Sequence, residues 1–156
     1  FVKHAAFLQL VRGRRLRLQR TEPNIGALAT ALADLVNPVT AQYHLAFVAS
    51  DTFYEHTHRY PGQRHDWQAD VDPLLSHAQT YCARIGLDLS DSDRVRLQHA
   101  CYELTRGAHS DTPSTAAYLG GVAAQEVIKI LTVQYIPLDN TCVYDGIVQA
   151  VSSFRL

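Results

Sequence analysis

Methionine is absent from all 156 residues, and the first residue is Phe1. A chain without an initiator is a processed product or an excised piece, and an excised piece is the expectation here. Cysteine is scarce: Cys82, Cys101 and Cys142 are odd in number, widely spaced and form no CxxC. This argues against a disulfide framework or a zinc site and for reduced, buried thiols in a cytoplasmic or nuclear protein. No apolar run approaches the roughly 18 residues that a membrane span needs. No basic segment followed by an apolar stretch opens the chain, so neither a signal peptide nor a membrane partner is expected. Neither GxGxxG nor a GKS/GKT signature occurs, which removes the usual phosphate loops. GxSxG is missing, and no cysteine stands beside histidine in a small-residue turn, so no nucleophilic centre announces itself.

What remains is ordinary for one globular domain: 47% of the residues are hydrophobic and 19% are charged. The net charge of −1 conceals an asymmetry. Lys3, Arg12, Arg14, Arg15, Arg17 and Arg20 carry six positive charges in the first 20 residues, with no acid among them. Such a segment can be a nucleic-acid arm. It can equally be a solvated basic face or a strand facing acidic protein surface. No aromatic residue interleaves the arginines to stack on bases, which argues against nucleic acid.

Hydrophobic spacing predicts a mostly helical chain. Residues 4–11 suit a helix or a buried strand, and periodicity does not separate the two. A helix is expected over 24–36, ending before Asn37-Pro38. Another starts at Pro38 and buries Tyr43, Phe47, Ser50 and Tyr54, stopping before the turn Tyr60-Pro61-Gly62. Trp67, Val71, Leu74, Ala78, Tyr81 and Ile85 form one apolar stripe on a helix over 66–85, with Gly86 as its C-cap. A polar turn over 88–93 should cap a helix carrying Leu97, Cys101 and Leu104 that stops near Gly107. Thr112 and Pro113 then open a helix to about Val133 that is apolar on most of its circumference. A helix of that kind requires cover on more than one side. Two short strands follow, 141–144 and 150–156, separated by Asp145-Gly146. A strand pair alone is marginal in water, so the sheet it belongs to has its other strands elsewhere.

Two groups of residues invite a functional reading. Gly120-Gly121 lies inside a helical pattern rather than on a strand-to-helix turn, so close approach of another backbone explains the pair better than a nucleotide does. His56, His58, His65 and Asp66 are the one plausible metal cluster. Zinc needs three or four converging ligands, and a solvated histidine-rich loop accounts for these residues more simply.

The run Gly120-Gly121-Val122-Ala123-Ala124-Gln125-Glu126-Val127-Ile128-Lys129 resembles the C-terminal end of a ubiquitin-activating-type adenylation fold. Ala116-Ala117-Tyr118-Leu119 precedes it and Asn140-Thr141-Cys142-Val143-Tyr144-Asp145-Gly146 follows it. The helix and two strands are shared with ThiF/MoeB-like adenylating enzymes. Ala5-Ala6-Phe7-Leu8, Val11-Arg12-Gly13-Arg14 and Arg59-Tyr60-Pro61-Gly62 narrow the likeness to the regulatory subunit of the neddylation-activating enzyme.

That resemblance implies an α-rich α+β fragment. Residues 1–111 would be a helical insert, standing where related enzymes carry a catalytic-cysteine half-domain. Residues 112–156 would be the C-terminal helix and strand pair of an incomplete ThiF/MoeB-like (Rossmann-like) adenylation domain. It also implies a heterodimer with a catalytic cysteine-bearing subunit, which uses Mg-ATP to adenylate a ubiquitin-like modifier. No catalytic, cofactor-binding or metal residue carries over to this chain. Gly120, Gly121, Gln125, Glu126 and Lys129 are the structural signature, packing in the adenylation core. The inactive half of a ubiquitin-activating enzyme, its sumoylation counterpart, and an independent helical interaction module with a basic arm stand as alternatives.

Overall fold

The computed structural model describes residues 15–34, 39–108, 110 and 112–156. Six helices and one strand pair follow in chain order. They are α1 (Leu16–Thr21), α2 (Ile25–Leu32), α3 (Thr40–Thr57), a 3-10 turn (Trp67–Asp70), α4 (Val71–Ile85), α5 (Asp91–Arg106), α6 (Pro113–Thr132), β1 (Thr141–Asp145) and β2 (Ala150–Phe154). The molecule is therefore helix-rich with a two-stranded antiparallel sheet. The predicted segment over 4–11 and the Pro38 helix start lie outside the described residues.

Local chemistry sets most of the helix ends. Asn24 caps α2 by accepting the Ala27 N–H at 3.1 Å, and Ser90 and Asp93 close a reciprocal capping box on α5. Gly86 ends α4 with a left-handed φ of 72°, a conformation that costs glycine least. The helix predicted over 66–85 begins instead as a 3-10 turn at Trp67 and becomes α-helical at Val71.

The core forms where α3, α4 and α5 pack together, with α2 and the strand pair closing on α3. Leu45, Ala46, Ala49 and Phe53 of α3 meet Leu74, Ala78 and Cys82 of α4 and Leu97, Ala100 and Cys101 of α5 in one cluster. The face predicted for α3 needs correction. Tyr43 and Ser50 are buried, but Phe47 and Tyr54 are exposed. Ten residues of α3 are buried, including the polar Thr40 and Gln42, because neighbours surround the helix rather than line one side.

The strands pair in register from Thr141 opposite Phe154 to Asp145 opposite Ala150. Asn140 locks the open end of the hairpin. Its side chain donates to the Leu156 carbonyl at 2.7 Å and accepts the Leu156 N–H at 3.0 Å. This draws Leu156 into the core, together with Val143 and Phe154.

Candidate functional site

Helix α6 breaks the pattern of the other long helices. Pro113 starts it, and Val133 ends it with a left-handed φ of 55°. Its sequence is strongly apolar, yet none of its residues is buried. Leu119, Val127, Ile128, Ile130 and Leu131 are exposed, Leu131 by 76%. The exposed apolar surface continues through Val133, Tyr135 and Ile136 and reappears at Ile147 and Val148 beyond β1. Monomeric proteins rarely expose a large apolar patch unless it meets a protein, a membrane or a ligand.

A few specific contacts hold α6 in place. The Tyr118 and Tyr144 rings sit 4.6 Å apart between α6 and β1. Glu126 accepts the Leu138 N–H at 2.7 Å and pairs with Lys129 at 2.6 Å. The Lys129 ammonium, then the Leu138 N–H, hold the Glu126 carboxyl below its ordinary pKa. Two of the five signature residues thus clamp the segment after α6 back onto the helix.

Gly120 and Gly121 behave differently from the expectation of close packing. A Cβ built on either meets nothing within 4 Å, so no described residue makes the close approach. Gln125 is likewise exposed. The four candidate metal ligands do not act together. His56 lies on the last turn of α3 and bonds the Thr52 carbonyl, His58 occupies its left-handed C-cap, and His65 and Asp66 sit in the following loop. Among the described residues no three histidine, cysteine or carboxylate side chains converge as a metal site would need.

The thiols are the reverse of activated nucleophiles. Burial pushes Cys82 up to about 11 and Cys101 up to about 12, and it also raises Cys142. A nucleophilic cysteine needs its pKa lowered by a positive charge or a helix N-terminus. A groove of about 600 Å³ runs between α1, α3 and the start of β1, past His44, Phe47, Tyr60 and Cys142. Burial, with Arg20 adding to it, pushes the His44 imidazole down to about 4. The Arg20 that faces this groove is ion-paired with Asp51.

The best-organised polar cluster, missed by sequence reasoning, is structural. Arg59 grips Asp70 through two hydrogen bonds of 2.5 Å, and Asp70 also accepts the Gly62 N–H at 2.9 Å. Gly62 has φ +82°, and a Cβ there would stand 2.1 Å from the Thr105 carbonyl oxygen. The clamp presses the predicted turn against the end of α5. Its one sequence signal was the turn itself.

The described surface therefore offers an exposed apolar helix beside a strand pair. No protein-family model matches the chain. It is 32% identical over 162 residues to the NEDD8-activating enzyme E1 regulatory subunit of Xenopus laevis, and 30% over 158 residues to that of Danio rerio. Both similarities cover 100% of this chain and 28% of the relative. This chain is a homologue of NEDD8-activating enzyme E1 regulatory subunits. It also resembles the ubiquitin-activating enzyme E1 1 of Schizosaccharomyces pombe, at 29% identity, but there only 74% of the chain and 11% of the relative are covered. The resemblance carried by residues 116–146 thus extends along the whole chain. The chain spans little more than a quarter of the length of its NEDD8-activating relatives.

Proposed function

We propose that this chain forms a structural portion of the regulatory subunit of a NEDD8-activating enzyme, working in the cytoplasm or nucleus. In this reading residues 1–111 are the helical insert. Residues 112–156 contribute the last helix and strand pair of a ThiF/MoeB-like adenylation fold. The observation that carries the proposal is α6, apolar and without one buried residue, beside a sheet in which the described residues supply two strands. A longer subunit supplies the missing cover: further strands for the sheet edge and apolar side chains for the helix.

The chemistry belongs to a catalytic partner subunit, which holds Mg-ATP, adenylates the modifier's C-terminus and receives it on a cysteine. This chain's own residues position that assembly. Glu126 and Lys129 fix the segment after α6, Asn140 closes the hairpin, and the Arg59–Asp70 clamp keeps the insert in shape. The high-pKa thiols fit a subunit that takes no part in acyl transfer.

The test is co-expression of the complete regulatory subunit with its catalytic partner, compared with a version lacking the segment that corresponds to residues 112–156. The intact pair should co-purify and form the NEDD8 thioester, and the truncated pair should do neither. The 156-residue chain alone should bind no Mg-ATP by calorimetry. Saturable nucleotide binding by the chain, or full activity of the truncated pair, would overturn the proposal. Thioester formation with ubiquitin instead of NEDD8 would favour the ubiquitin-activating reading that the fission-yeast similarity supports.

A further inference from the structure

Two histidines face each other across the packing seam of α3 and α4. His56, on the last turn of α3, and His77, midway along α4, stack with ring centroids 5.1 Å apart and planes inclined by 25°. His77 also meets Phe53 edge-on at 6.2 Å. Phe53 is only 2% exposed, so the stack is seated on the core. The 2.8 Å contact from His56 Nδ1 to the Thr52 carbonyl requires the proton on Nδ1.

The charges around the stack do not neutralise it. From α3 the facing titratable group is His56. Arg59, beyond the end of α3, stands 5.1 Å from the centroid of the same Phe53 ring. Its charge is matched by Asp70 of the 3-10 turn. Along α4, Arg84 lies over Tyr81. From α5, Arg94 lines a pocket with Cys82 near the end of α4. Among the described residues no carboxylate pairs with either imidazole, so protonating both places like charges face to face over an apolar ring.

We propose that the His56–His77 stack is an acid-sensitive joint between α3 and α4, tight while its imidazoles are neutral and loosened when the stack takes up protons. Burial first, and then His56, hold His77 below its ordinary 6.5. With a depressed histidine the unfolded chain takes the proton first. Stability is therefore complete above pH 6.5 and is lost as pH falls below that value toward the folded pKa. The joint lies in the part of the fold with the most extensive helix packing, so loosening it would reach α5 through α4.

His44 loses stability over the same acid range, and a global melt alone would mix the two effects. The test is a histidine-resolved NMR titration of the full chain and its His56→Gln variant, with urea unfolding at each end of a range from about pH 8 to about pH 5. In the wild type His77 should titrate below 6.5. In His56→Gln its midpoint should move up, and the acid-induced fall of the urea midpoint should shrink. His56 is exposed, so the variant should fold at neutral pH. If it does not, His77→Gln provides the second reading, and it should likewise shrink the acid-induced fall of the urea midpoint. Wild-type His77 titrating at or above 6.5, or a midpoint unmoved by removing its stacking partner, would overturn the proposal.

Discussion

Asp70 illustrates how one buried carboxylate organises a turn. It is 4% exposed, and it satisfies its oxygens with the Arg59 guanidinium and the Gly62 N–H. The Arg59 hydrogen bonds, foremost, hold its pKa below the ordinary 3.8. A depressed carboxylate contributes stability above the unfolded value that disappears as pH falls through the folded one, so this contribution is full at neutral pH and is lost in strong acid, below pH 3.8. Asp70→Asn leaves the half-buried Arg59 without its charge partner and should cost about 1–3 kcal/mol at neutral pH. Urea unfolding should show that loss, and it should shrink in strong acid, where the wild-type carboxylate is protonated. The Tyr60-Pro61-Gly62 turn was legible from its residue types. The carboxylate that fastens it was not, since nothing local marks a partner 11 residues from Arg59.

At the scale of elements, helices were read well where capping residues or a single apolar stripe determined them. Asn24, Ser90, Pro113 and Gly86 each lie at the helix end that their chemistry favours. Helix α3 was misread because a helix with neighbours on several sides has no single stripe to find. Its small residues Ala41, Ala46 and Ala49 are buried while Phe47 remains half exposed. Helix α6 shows the converse: its composition demands cover that the described residues do not supply. This changes what a substitution there should do. Gly121→Leu meets open space in this chain and removes a helix-interior glycine, so the urea midpoint should stay level or rise by up to about 1 kcal/mol of stability. The same substitution in the complete subunit should weaken co-purification with the catalytic partner, where another backbone is proposed to approach. A loss of stability in the isolated chain would show that the glycine is packed within it.

At the scale of the whole molecule, two regions differ in how completely they are finished. The helices from α2 to α5 bury a shared core, joined by Val143, Phe154 and Leu156 of the hairpin region. The apolar surface of α6 remains open, and such faces recruit other chains. The isolated chain should therefore self-associate. Light scattering across a concentration series should show mass rising with concentration, and a truncation ending before Pro113 should reduce that rise. A strictly monomeric chain would remove the case for missing cover. No helix among the described residues is long and apolar enough to cross a membrane, so a membrane-spanning helix does not explain the exposed surface.

The sequence alone determined the helical character, most helix ends, the final helix and hairpin, and the likeness to modifier-activating enzymes. Each depends on contacts within a few residues or on a run of residue types that survives in one dimension. Tertiary structure decided which face of α3 is inside, that Asp70 serves the turn at Gly62, and that His56 stacks on His77 rather than joining His58 and His65. It also decided that Gly120 and Gly121 meet nothing within the described chain. Those outcomes depend on which helices become neighbours, and packing geometry, unlike capping or periodicity, leaves no local trace in the order of residues.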